Sequence, residues 1–208
     1  MFKLEKIFGL LAIVAIVLKW NMLPGGNIML LLSLSLLSLL YYGFGFALFN
    51  RIGFKQLVKK ESYTGISMFM IIIAVITGIA LSVICIGIPF KVLRLSGSKI
   101  LFVTGLIPLL IVFIISVISY FKTKSKLYIR LIKRILIIGG LGLLLSCVSG
   151  LTIVKIQYRN HPNYIKAYEL YMTNPSDEQL RKNLDIEYYK SIMSDEEFEQ
   201  YLKQMEEK

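Results

Sequence analysis

"LKWNMLPGGNI", residues 18–28, closes one apolar run and opens another; seventy-two residues on, the chain reads "FKVLRLSGSKI", residues 90–100. Aligned without a gap, Lys19 falls on Lys91, Leu23 on Leu95, Gly25 on Gly97 and Ile28 on Ile100. Pro24-Gly25 supplies the fixed φ and the permissive residue that a tight reversal needs. In the second stretch Ser96 replaces the proline and Arg94 adds a charge. A lysine on the last turn of an apolar helix can stretch its stem toward lipid headgroups and meet the free carbonyls at the negative helix end. Trp20 suits the aromatic belt of a membrane interface. The two stretches therefore read as the corners of two helical hairpins in tandem, marked by Lys19, Pro24, Gly25, Lys91 and Gly97. Two sharper readings rest on the same residues: internal duplication, and an acidic partner or lipid headgroup held by the lysines.

Working outward, 56% of the 208 residues are hydrophobic and the mean hydropathy is +0.67, values that place most of the chain in lipid. A bilayer core of about 30 Å needs about 20 apolar residues in helix. Five stretches approach that length: 2–23, 28–49, 66–90, 100–121 and 135–154. The expected fold is all-α, a polytopic bundle of about five transmembrane helices with a C-terminal helical extramembrane tail. Its parts are a first hairpin over 1–60, a second over 61–126, a fifth helix over 127–154 and an acidic tail over 155–208. The first run lacks a small-residue cleavage site and is followed at once by a second span, unlike a signal peptide.

Charge gives an orientation. Residues 1–154 carry sixteen Lys and Arg against two acids, Glu5 and Glu61, whereas 155–208 carry eight against eleven. Twelve of the sixteen basic residues fall on one side of a five-span arrangement, in the N-terminal end and the loops near 51–60 and 122–134. That side is cytoplasmic by the positive-inside rule, so the N-terminus is inside and the tail outside, in a bacterial cytoplasmic membrane. The basic loops suit anionic lipid, at about 1 kcal/mol per residue near the surface. They flank spans and accompany no nucleic-acid recognition motif, which argues against a nucleic-acid partner.

Small residues four apart, Ala74, Gly78 and Ser82, and again Gly142, Ser146 and Gly150, predict close helix packing in lipid. Ser33, Ser35 and Ser38 in the second run either bond back to their helix or line a pore. No Asp or Glu lies between Lys6 and Lys60 or between Ser62 and Leu151, so a carboxylate proton relay has no candidate. Cys85 and Cys147 lie singly in apolar runs and suggest neither a disulfide nor a metal site; "LLLSC" before Cys147 has the look of a lipoprotein box, but apolar sequence continues beyond it. There is no phosphate-cradling loop, His/Glu metal pair or nucleophile–base pairing, and the single His161 reads as a linker residue. Neither an enzyme nor a cofactor is indicated.

In the tail, "NPSDEQ" sets Ser176 before Gln179 and "MSDEEF" sets Ser194 before Glu197, two capping-box patterns. The second begins a helix with Phe198, Tyr201, Leu202 and Met205 on one face, an interaction surface. Tyr164, Tyr168 and Tyr171 share a side of an earlier helix. About fifty residues bury little alone, so these faces pack on each other, on the corners or on a partner.

The first hairpin, "FG…LKWNMLPGGNIMLL", resembles the N-terminal transmembrane hairpin of the gliding-motility protein L (GldL) family over about residues 5–50, at Lys19, Pro24 and Gly25. The resemblance implies a stator-like hairpin in an envelope assembly. That family carries a second-helix glutamate implicated in using the proton gradient; here Leu37 stands about where it belongs, so that role does not transfer. Two functions follow as expectations: a non-catalytic accessory subunit of an envelope complex, with other membrane proteins or a second copy as partners, or a small channel or transporter.

Overall fold

The computed structural model describes residues 1–206 and, among them, contains helices and no strand. Two compact units emerge. The first comprises Met1–Lys19 with Pro24–Val148, the second Trp20–Leu23 with Ser149–Lys208.

In the first unit, α1 (Phe2–Trp20) and α2 (Gly26–Asn50) form one hairpin, and α3 (Met68–Val92) and α4 (Ser98–Thr123) another. Both corners use one backbone solution: Met22 (φ 55°) and Gly25 (φ 83°) are left-handed, and so are Arg94 (φ 61°) and Gly97 (φ 89°). The seventy-two-residue alignment is thus one of backbone conformation as well as side chains. A left-handed non-glycine residue costs roughly 1–2 kcal/mol, so Met22 and Arg94 are held there by their surroundings. Gly26 answers a separate demand, since a Cβ on it would lie 2.8 Å from the Lys19 nitrogen.

Helices α2, α3 and α4 are long and apolar enough to cross a membrane. They are apolar on every face: Leu30, Leu81 and Ile84 are fully buried, while Ile28, Leu39, Ile100 and Leu110 are more than 60% exposed. Such a helix belongs in the interior of a large protein or in lipid. The expected first span, α1, carries Lys3, Glu5, Lys6 and Lys19 and is not among these three.

The expected fifth span is not one rod. After α5 (Lys126–Arg134) comes a π-helical turn, Ile135–Gly139, then α6 (Gly140–Cys147); Val148 is extended and α7 (Gly150–Gln157) starts afresh. The physical cause is local. Ser149 accepts from the Thr152 N–H at 3.0 Å, a ready N-cap, and β-branched Val148 with Gly150 weakens the competing helix. With the broken pair counted as one span, the candidates number up to four.

Packing within the unit centres on α2 against α3. A Cβ on Gly45 would stand 2.9 Å from the Gly78 Cα, and one on Gly78 would stand 2.7 Å from the Tyr41 carbonyl oxygen. The backbones touch there, with Ala74 and Ser82 buried on the same seam.

The second unit holds α7, α8 (Pro162–Thr173), α9 (Glu178–Ile192) and α10 (Asp195–Glu206). Its core is aromatic: Tyr158 and Tyr164 are buried with ring centroids 4.4 Å apart, and Tyr188 joins both. Lys155 and Glu169 pair at 2.7 Å across α7 and α8. The α9 cap is Asp177, which accepts from the N–H groups of Gln179 and Leu180, rather than Ser176, whose hydroxyl turns to Asn174. The shift by one residue reflects a carboxylate outcompeting a hydroxyl at the positive helix end. At α10 the box forms as the sequence indicates, Ser194 with Glu197, and those bonds hold the Glu197 carboxyl below its ordinary range.

Two outcomes follow. Gly78→Leu lowers thermal stability in detergent, by about 1–3 kcal/mol on the scale of overpacked cores, whereas Gly43→Ala, with open space around the new Cβ, leaves it unchanged. For α10 the folded-state pKa of Glu197 is depressed, so its contribution is present above the ordinary carboxylate pKa and lost as pH falls through the depressed one. Hydrogen exchange at 195–206, corrected for intrinsic rates, quickens on that acidification, and Ser194→Ala reproduces the effect at neutral pH.

Candidate functional site

Glu5, near the start of α1, and Arg134, at the end of α5, meet inside the first unit although 129 residues separate them. Arg134 donates from Nε to Glu5 Oε1 at 2.5 Å and from an Nη to Oε2 at 2.6 Å, the fork-on-carboxylate geometry that only arginine offers. The Tyr41 hydroxyl, from α2, donates to the same Oε1 at 2.7 Å. The other Nη donates to the Arg130 carbonyl, and the guanidinium carbon sits 5.4 Å from the centre of the Phe49 ring. Both charged side chains are about 16–17% exposed.

The arrangement ties three helices through one carboxylate. Elsewhere α1 buries only Ala12 and Ala15, small residues that offer little area. Its sequence carries the anchor as one acid among lysines. Arg134 closes the short basic helix α5, which buries Leu127, Tyr128 and Leu131 and turns Lys126 and Lys133 outward. Chemically both carboxylate oxygens are engaged: Oε1 accepts from a guanidinium nitrogen and a phenol, and Oε2 from a second guanidinium nitrogen. Such a group fastens helices.

The residues singled out from sequence fall as follows. Gly25 and Gly97 cap α2 and α4 in the left-handed region, and Pro24 precedes the first of these. Lys19 and Lys91 occupy last turns, of α1 and α3, and the charges of Lys19 and Arg94 lie close enough to interact. Ala74, Gly78 and Ser82 lie together on the α2 seam. Gly142 packs beneath Ile84 and Phe102, but Ser146 is exposed and bonds back to Leu143, and Gly150 starts α7 near the Tyr168 hydroxyl. The helix break at 148 therefore removes Gly150 from the stripe of Gly142 and Ser146.

Ser33 bonds to its own helix and Ser38 donates across to the Ser82 carbonyl at 3.0 Å, so both serve packing. Of the tail face, Tyr201 lies 4.4 Å from Tyr189 and 6.4 Å from Phe198, while Leu202 is half-buried. The side chain of Met205 lies outside those described. Cys85 is buried and Cys147 exposed, both free thiols, and the described residues hold no cluster of three metal-ligating side chains.

Searches against protein-family models, curated proteins and solved structures find no match to this chain. Among the described residues the fold and the site thus define an all-helical chain with three candidate membrane-spanning helices and an internal ion pair.

Breaking the pair on one side strands a charge. Glu5→Gln or Arg134→Gln costs roughly 3–5 kcal/mol, read as a fall in melting temperature in detergent. The double replacement Glu5→Leu with Arg134→Met recovers most of that loss, since apolar groups of similar volume often match a buried ion pair.

Proposed function

We propose that this protein is a non-catalytic, multi-pass protein of the bacterial cytoplasmic membrane, serving as a structural or accessory subunit of an envelope complex. The observation that carries the reading is the Glu5–Arg134–Tyr41 cluster. The one carboxylate within helices α1 to α6 is spent on joining α1, α2 and α5, which suits a rigid scaffold better than a conduit. The resemblance of the first hairpin to the gliding-motility protein L family adds an envelope setting to that scaffold.

In this reading α1 and the π–α6 stretch accompany α2, α3 and α4 into the bilayer. Both are short for the task. Lys6 and Lys19 bracket roughly 18 Å of α1, and 135–147 span about 20 Å. Short, charge-flanked helices enter a membrane by snorkelling and local thinning. Pairing their charged ends through Glu5 and Arg134 lowers the cost further. The basic ends at 51–60 and 122–134 face the cytoplasm, where anionic lipid neutralises them, and the tyrosine-rich second unit lies outside. Its aromatic faces and the acidic α10 supply the surface for other envelope proteins or for a second copy.

Topology and company are both measurable. In a Cys147→Ser background, cysteines at Leu57, Ser96 and Asn183 report sidedness in intact cells. An impermeant maleimide labels Ser96→Cys and Asn183→Cys but not Leu57→Cys; the reverse pattern contradicts the orientation. Cross-linking in cells followed by purification in mild detergent recovers a membrane or envelope protein, or a second copy. Repeated recovery of the chain as an isolated monomer counts against the accessory role.

A further inference from the structure

We propose that the groove between α4 and α6 holds one anionic diacyl lipid, its headgroup phosphate between Lys91 and Lys99 and an acyl chain lying along α4 toward Phe113. Two cavities make up the groove. One, of about 380 Å³, opens beside Lys91 and Lys99 and is floored by Phe102, Val103 and Leu106, with Ser146 across from them. The other, of about 270 Å³, continues past Leu106 to Leu110 and Phe113, with Gly140 and Leu143 on the opposite wall. Leu106 lines both, so the two cavities adjoin along a single helix. From Lys99 to Phe113 it runs roughly 21 Å at 1.5 Å per residue, about the depth of one leaflet from headgroup to midplane.

Charge selects the headgroup. Lys91 lies in the last turn of α3 and Lys99 in the first turn of α4. At a helix start, where the dipole is positive, a lysine is unfavourable unless an anion answers it. Arg94 lies in the same corner, and the sequence offers no Asp or Glu between Ser62 and Tyr168. The corner is therefore a concentrated positive mouth above an apolar trough. A phosphodiester bearing hydrocarbon complements both parts; a free anion would leave the trough empty. A partner helix, about 10–12 Å across, would cover the seam rather than enter it.

The trough exists because of glycine. A Cβ on Gly139 would strike Leu109 at 2.5 Å, which sets the π-helical turn before α6 close to α4, whereas a Cβ on Gly140 meets nothing within 4 Å and lies at the opening. The lining also includes Ile135 and Leu136 of the π-helical turn. A π-helical turn is a rare distortion that is frequently found at functional sites. The site is at the end of the bundle opposite the basic loops, so it is separate from any lipid those loops attract. It stands whether or not the protein is an accessory subunit.

The test uses the full chain reconstituted in vesicles of equal phosphatidylcholine and phosphatidylglycerol, extracted in mild detergent and examined by native mass spectrometry. One phosphatidylglycerol per chain stays bound. Lys91→Gln with Lys99→Gln loses most of it by removing the mouth. Gly140→Leu loses it by filling the trough, without a backbone clash. Lys59→Gln, in a loop at the other end, retains it. Thermal melting of each variant confirms that the fold is intact; should Gly140→Leu unfold, the lysine pair decides alone, since Lys99 is exposed and Lys91 only half-buried. Equal retention of phosphatidylcholine, or undiminished binding in the lysine variant, overturns the proposal.

Discussion

A carboxylate held by a guanidinium fork, with a tyrosine hydroxyl as third partner, closes this bundle. Away from water a stray polar group is costly, so each must find its partner inside the chain. Glu5 could have made α1 the least tractable helix to bury. Paired with Arg134 and Tyr41, it becomes the point at which the beginning and the end of the first unit are joined. Two consequences follow from the pairing. Helices α1 and α5 are drawn toward α2, whose own contact with α3 at Gly45 and Gly78 is as close as backbones allow. The carboxylate itself is engaged by three donors.

The hairpins were the most legible part of the sequence. A lysine, a turn and a glycine at a spacing of seventy-two residues predicted corners, and Gly25 and Gly97 are left-handed as such turns require. The further agreement of Met22 with Arg94 could not have been read, because nothing in a methionine announces a positive φ. The seam of Ala74, Gly78 and Ser82 was visible as small residues at a helical period, and the cap of α10 as serine three residues before glutamate. These are local signals, and local rules decode them.

What escaped the sequence is non-local or competitive. Glu5 and Arg134 read as two more charges near the membrane face, since no periodicity links residues 129 apart. The break at Val148 came from a contest: an unbroken apolar run favours one helix, but Ser149 with Thr152 offers a better start, and the helix yields. At α9 the contest went to Asp177 over Ser176. The groove along α4 was equally invisible, because it is defined by side chains absent from Gly140 and by the way α6 lies on its neighbour. In each case the missing information was which of two locally acceptable arrangements the tertiary structure selects.

The claim that a buried ion pair fastens α1 to α5 inside a lipid-solvated bundle is tested most directly by a distance. Spin labels on the exposed neighbours Lys6 and Lys133, with the chain in vesicles, should give one narrow distance distribution that broadens when Arg134 is replaced by glutamine. A broad distribution in the otherwise native chain, unchanged by that replacement, would contradict the account.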